Sequence, residues 1–232
     1  MVTTMPLLEI QNRMERAALT AGRTPESVRL VAVTKGHSQQ DIERCVLEHG
    51  RFALAENKGQ ELRDKKPLFP AETEWHFIGP LQRNKIKYLE GVSLIHTLES
   101  LDVALELVKY AEKWGRAPAL LIQLHNGEAQ KHGVDEAEVP ALLREVRALG
   151  LEVRGLMVMA PYQDGPEDSA RVEAVFQRTA VLAHALELSE LSMGMSGDFE
   201  AAIRLGSTMV RVGSALFDLA QYRLQGGEVS RA

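Results

Sequence analysis

Lys35 closes the run Leu30-Val31-Ala32-Val33-Thr34, whose small apolar and hydroxyl residues read as a buried strand. A lysine rooted at the end of such a strand points its amine out of the core edge. Burial disfavours the charged ammonium and lowers its pKa, and a neutral amine attacks carbonyls to form a Schiff base. The plain alternative is a solvated lysine just past a strand, the commoner case.

Two later stretches have the make-up of an anion site. Ser192-Met193-Gly194-Met195-Ser196-Gly197-Asp198 passes from a strand into a helix, and Arg211-Val212-Gly213-Ser214 supplies a second glycine–hydroxyl turn. Glycines let backbone N–H groups approach a ligand, and a helix N-terminus favours negative charge. Either stretch alone could be an ordinary glycine turn. On adjacent last strands they read together as a phosphate cradle. A phosphate site with a strand-end lysine implies a phosphorylated carbonyl ligand. A sugar phosphate, as in class I aldolase chemistry, and pyridoxal 5′-phosphate both fit.

Other chemistries find less support. The seven histidines include no His-Glu-x-x-His and no clustered spacing, so no metal is expected, and His96 reads as a hydrogen-bonded core residue. There is no Gly-x-Ser-x-Gly, Walker loop or Gly-x-Gly-x-x-Gly. Gly194-Met195-Ser196-Gly197 superficially suggests a serine nucleophile, but no base accompanies it. Arg83, Lys85 and Lys87 form a small basic patch that reads as a solvated helix face. The 27 Lys+Arg against 32 Asp+Glu leave a net charge of -5, which argues against nucleic-acid binding. One cysteine, Cys45, excludes a disulfide framework and fits a reducing compartment. No secretory signal or apolar span of roughly 18–20 residues is present, so a cytoplasmic protein without membrane contact is expected.

The elements that must position these residues follow from the apolar runs. Strands are predicted at Arg29–Lys35, Arg51–Asn57, Trp75–Gly79, Ser93–Leu98, Ala119–His125, Val153–Met159, Leu191–Ser196 and Met209–Phe217. Most are apolar on both faces, as parallel strands between helices and a core should be. Ser38 to Asp41 reads as an N-cap with an acidic third residue. Helical spacing relates Leu101, Ala104, Leu105 and Val108, then Val139, Leu142, Leu143 and Val146, then Val172, Val175, Phe176 and Thr179. Gly150 reads as a helix stop, and a leading helix is predicted over about residues 6–21. With no linker-like tract, 1–232 reads as one domain. Eight strands alternating with helices predict a (β/α)₈ barrel with an extra N-terminal helix; a doubly wound sheet is the alternative. Lys35, Asn57, His125 and Ser196 at strand ends favour the barrel, where such ends share one mouth.

Several long motifs then match in order. LVAVTK (30–35), AENKGQEL (55–62), WHFIGPLQRNK (75–85), IHTLES (95–100), RGLMVMAP (154–161), LSMGMSGDFEAAI (191–203) and GSTMVRVGSALF (206–217) resemble the pyridoxal phosphate homeostasis protein family. The resemblance spans about Leu30 to Phe217. It implies a single barrel similar to the alanine racemase N-terminal domain. It also implies pyridoxal 5′-phosphate (PLP) held as a covalent aldimine on Lys35. By the same resemblance Ser196, Gly213 and Ser214 hold the phosphate, Arg211 lies at the pyridine nitrogen, and Asn57 lines the site. His76 and Met193 are implied as further lining residues. The chain departs from the usual pattern at Ala55, where the family commonly has glycine, and at His125, where it commonly has asparagine; no role is carried to His125.

Arginine cannot readily give a proton to a ring nitrogen, so the ring would be a weaker electron sink than a pyridinium. Alanine racemase works with such an arginine, so this alone does not exclude catalysis. The racemase's second base comes from an added C-terminal domain. Fifteen residues, Tyr222 among them, follow Phe217 here, too few for such a domain. The expected protein is a monomeric, non-enzymatic PLP binder in PLP homeostasis. It would buffer the cofactor or deliver it by transient contact with PLP-dependent apoenzymes. The alternatives are a PLP-dependent amino-acid racemase or lyase, and a Schiff-base aldolase.

Overall fold

The computed structural model describes residues 5–128, 132–162, 165 and 168–218. Eight parallel strands close into a barrel in sequence order. They are β1 Arg29–Val33, β2 Ala53–Glu56, β3 Trp75–Phe77, β4 Leu94–Leu98, β5 Ala119–Gln123, β6 Val153–Met157, β7 Glu190–Ser192 and β8 Met209–Val212. Closure is the β1–β8 pairing, which sets Val31 beside Arg211 and Ala32 beside Val212.

Side chains alternate between two cores, as the strand period of two demands. Leu30, Ala32, Leu54, Leu120, Ile122, Leu156, Val210 and Val212 face outward and join the helices in one large core. Val31, Val33, Ala53, Ala55, Leu94, Leu121, Met157 and Met209 fill the barrel interior. The predicted strands all exist; β4 ends at Leu98 as expected, and the other seven end earlier than expected. Gly36 at φ +77° and Gly194 at φ +92° turn the chain out of extended conformation. Gly213 ends β8, and Ser214–Phe217 is helix rather than strand. Lys35, Asn57, His125 and Ser196 therefore stand on the loops just beyond the strands.

The leading helix, α1 Pro6–Thr20, buries Leu7, Ile10, Met14, Ala17 and Ala18. It lies against α7 Phe199–Arg204, to which Arg13 is tied by a bidentate pair with Glu200 at 3.0 and 3.1 Å. Helix α2, Gln39–Cys45, starts where predicted, the Ser38 hydroxyl accepting from the Asp41 N–H. Helix α3 spans Gly59–Lys65. Gly115, left-handed, ends α4 Leu101–Trp114, and Gly150 at φ +79° follows α5 Val139–Ala148. On α4 the inward face is Val103, Ala104 and Leu107, while Leu105 is exposed. Leu101 and Val108 pack against the same core as predicted, and Leu107 takes the place expected of Leu105. The expected stripes of α5 and of α6, Ser169–Ala185, are buried. The short α8, Ser214–Phe217, follows β8. Among the described residues no helix is long and apolar enough to cross a membrane.

Candidate functional site

Lys35 is exposed, in the turn that leaves β1. It is not the buried lysine of the sequence expectation, because β1 stops at Val33 and the glycine turn lifts the chain out of the core. The backbone on either side of it is held. Lys65, at the end of α3, donates to the Thr34 carbonyl at 2.6 Å, to Glu56 Oε1 at 2.7 Å and to Glu61 Oε1 at 2.8 Å. Those three bonds use all three ammonium donors. Glu61 Oε1 in turn accepts the Gly36 N–H at 2.6 Å, and the Thr34 hydroxyl donates to Glu56 Oε1 at 2.6 Å. Burial pushes the Glu56 carboxyl up, against the opposing bonds from Lys65 and Thr34. One residue on, the His37 ring stacks on Phe217 of α8 at 3.7 Å. The turn carrying Lys35 is thus tied both to α3 and to the second anion loop.

Arg211 rises from β8 inside the barrel and is buried. Its Nη1 donates to the Ser192 carbonyl at 2.8 Å and to Ser192 Oγ at 2.7 Å; its Nη2 donates to the Val158 carbonyl at 3.2 Å. Three of five N–H donors are spent. The Nε–H and one Nη2–H have no partner among the described residues. Burial lowers the Arg211 pKa to about 10, so it is a cation at neutral pH. Beneath it, His96 Nδ1 lies 2.8 Å from Ser192 Oγ, and His96 Nε2 lies 3.0 Å from His76 Nδ1.

The two glycine turns border the same mouth. In the first, Gly194 leaves no room for a side chain: a Cβ would lie 2.7 Å from Ala202 Cβ and 2.8 Å from Phe199 Cα. Asp198 accepts the Met195 N–H at 2.6 Å; burial pushes its carboxyl up, opposed by that bond and by Arg211. The backbone N–H groups of Ser196, Gly197 and Ser214 have no hydrogen-bond partner among the described residues. Such free donors suit an anion. On the β2 side, Asn57 Oδ1 is buried without a partner among the described residues. Gly79 packs so closely on the Asn57 backbone that a Cβ would meet the Asn57 carbonyl oxygen at 1.9 Å. An orphaned buried amide oxygen of this kind signals a polar group still to be received.

The mouth therefore brings together Lys35, Asn57, Ser196, Arg211, Gly213 and Ser214 from four strand ends. Two of the expected lining residues stand elsewhere. The Met193 side chain faces outward into the sheet–helix core, fully buried, since it alternates with the inward Ser192. His76 is fully buried within the barrel, with both ring nitrogens engaged by Glu74 and His96. Sequence reading missed Lys65, Glu56 and Ser192, and took His96 only as a core residue. A polar residue in an otherwise apolar strand run was the one available signal. Among the described residues no group of three or more His, Cys, Asp or Glu is placed to hold a metal.

Comparison with known proteins fits this geometry. Residues 7–221 match the family model of the alanine racemase N-terminal domain. A pyridoxal phosphate homeostasis protein of Deinococcus radiodurans is 59% identical over 204 residues, covering 88% of this chain and 95% of the relative. The chain belongs to the pyridoxal phosphate homeostasis protein family. The Escherichia coli K12 family member is 36% identical over 231 residues, covering 93% of this chain and 96% of its own. Among solved structures, PipY of Synechococcus elongatus with PLP bound superposes at a TM-score of 0.75 with 33% identity. That match covers 88% of this chain and 99% of PipY. The alanine racemase of Clostridium difficile, at 13% identity and a TM-score of 0.65, shows the shared fold alone; 90% of this chain covers 56% of that one. The curated relatives are named for homeostasis rather than for a reaction.

Proposed function

We propose that this chain binds PLP at the barrel mouth, holds it as an internal aldimine on Lys35, and buffers or delivers it without catalysing a reaction. The carrying observation is the meeting, at one mouth, of three groups suited to three parts of one ligand. Lys35 offers an accessible amine for the aldehyde. Arg211 offers two spare donors for the ring nitrogen. The Ser196 and Gly213-Ser214 loops offer free N–H and hydroxyl groups for the phosphate. Asn57 supplies a further polar contact from its unpartnered oxygen. His76 is assigned a place behind Arg211, and Met193 contributes only packing behind its loop. Lys65 is no rival for the aldehyde, since its ammonium protons are all engaged.

The absence of catalysis is supported by Arg211. Its fixed cation donates to a ring nitrogen without surrendering a proton, so the bound ring is a weak electron sink. The homeostasis names of the relatives agree. We further propose that residues 1–232 act as one cytoplasmic, monomeric domain that meets PLP-dependent apoenzymes transiently. The test is the absorbance spectrum of the purified protein before and after borohydride, followed by peptide mapping. A visible band that borohydride abolishes, with the label on Lys35, is expected; a label on Lys65, or none, overturns the assignment. Exchange of an amino-acid α-proton in deuterium oxide would overturn the non-catalytic part and favour a racemase or lyase.

A further inference from the structure

A chain of polar side chains crosses the barrel from floor to mouth. Glu74 precedes β3, His76 lies on β3, His96 on β4, Ser192 on β7 and Arg211 on β8. Barrel interiors are ordinarily filled by branched apolar residues, and a polar chain among them is tolerable only if every member is satisfied. Here an obligate donor stands at one end and an acceptor at the other, and the links between them are read from those ends. Arginine only donates, so Ser192 Oγ accepts from Arg211 at 2.7 Å. That leaves the serine proton free to be given to His96 Nδ1 at 2.8 Å. Burial holds His96 well below the ordinary imidazole pKa, so the ring is neutral. Its one proton is on Nε2 and is donated to His76 Nδ1 at 3.0 Å. His76 accepts there and donates from Nε2 to Glu74 Oε1 at 2.8 Å. These tautomers are assigned from the network.

The floor end is anchored and open to solvent. Glu74 also accepts from Arg29 at 3.3 Å, and Arg29 reaches Glu190 at 3.8 Å. Arg29, Arg51 and Glu74 border a floor cavity of about 390 Å³. The bond from His76 holds the Glu74 carboxyl below its usual range, so the far end of the chain is an anion. With a cation that only donates at the mouth and an anion that only accepts at the floor, the three groups between them can all donate in one direction.

We propose that Glu74, His76, His96 and Ser192 are positioning residues for the mouth, a one-way relay that fixes the orientation and charge of Arg211 and thereby its contact with the ring nitrogen of the ligand. This rests on the PLP reading above. The first test uses the cofactor-free protein. Long-range ¹H–¹⁵N NMR should show the His96 ring protonated on Nε2 alone, with that proton bonded to His76 Nδ1. Ser192→Ala cuts the relay beside Arg211. Glu74→Gln removes its anionic end at a half-exposed position, where refolding is least at risk. Each is expected to shift the Arg211 guanidinium ¹⁵N resonances and, on titration with PLP, to weaken binding about tenfold (about 1.4 kcal/mol) with a displaced visible absorption maximum. A purely structural role would leave the absorption maximum in place. The proposal is overturned by a His96 protonated on Nδ1. It is equally overturned if both variants keep the wild-type Arg211 resonances and PLP affinity. Failure of the PLP reading itself appears separately, as wild-type protein that borohydride does not label at Lys35; the NMR of the cofactor-free protein then decides the relay alone.

Discussion

Lys65 and Glu56 form a buried ion pair at 2.7 Å directly beneath the turn that carries Lys35. Neither residue faces the mouth as a ligand group. Together with Glu61 they hold the backbone at Thr34 and Gly36, on both sides of the exposed lysine. The role proposed for Lys35 requires a fixed root. Here the root is fixed by a second lysine nine positions beyond the carboxylate it neutralises. That division of labour yields the first two predictions.

Lys65→Met leaves Glu56 buried without its counter-charge. Removing one partner of such a pair costs about 3–5 kcal/mol. Urea denaturation at neutral pH should show that loss. The paired change Glu56→Gln with Lys65→Met leaves no uncompensated charge, so it should recover part of the stability. A Lys65→Met protein as stable as the wild type would remove the clamp from the account.

Lys35→Ala should behave oppositely. The side chain is exposed and has no hydrogen-bond or ion-pair partner among the described residues, so stability should change by no more than about 0.5 kcal/mol. Binding of PLP should lose its borohydride-sensitive visible band. Thermal melting and absorbance measured on the same sample separate the two effects.

The contrast explains what was legible in the sequence. All eight strands could be read, because most are apolar on both faces and bounded by helical spacing. Lys35 and the glycine turns could be read because their chemistry is local. The strand ends were overrun because a glycine's positive φ, as at Gly36 and Gly194, is set by what the chain must avoid in space. The Leu105–Leu107 choice on α4 was open because leucine occupies both candidate faces. The clamp and the relay were hidden for a different reason. Glu56 meets Lys65 across a loop and a helix, and His96 meets Ser192 across 96 positions, so no periodicity links them. His76 entered as a lining residue through the resemblance, whereas its place on β3 buries it within the barrel against Glu74 and His96.

The pair between Arg13 and Glu200 gives a pH prediction. The Arg13 hydrogen bonds hold the Glu200 carboxyl below its ordinary range. A depressed carboxylate contributes stability above its unfolded pKa of about 4.3, and that contribution is lost as pH falls through the folded value. Both side chains are about one-third exposed, so the bridge is worth only about 0.5–1 kcal/mol. Glu200→Gln should therefore be less stable than wild type at pH 7 by that amount. At a pH below the folded value the two proteins should have matching urea midpoints. A difference that persisted in acid would assign the effect to packing of α1 on α7 instead.

Gly194→Ala tests the first anion loop. The residue sits at φ +92°, where a side chain is strained, and the new Cβ would meet Ala202 Cβ at 2.7 Å and Phe199 Cα at 2.8 Å. The left-handed backbone costs about 1–2 kcal/mol and the crowding about 1–3 kcal/mol, so a loss of about 3 kcal/mol is expected. The strain must be relieved by moving the Met195–Asp198 turn against α7, and that turn carries Ser196 and the free N–H groups. The variant should therefore bind PLP more weakly than the wild type does. The comparison is a titration of both proteins with PLP and with pyridoxal. The variant should lose affinity for PLP while its affinity for pyridoxal is little changed, because only the phosphate depends on the displaced loop. Equal losses for both ligands would place the phosphate elsewhere, at the Gly213-Ser214 turn alone.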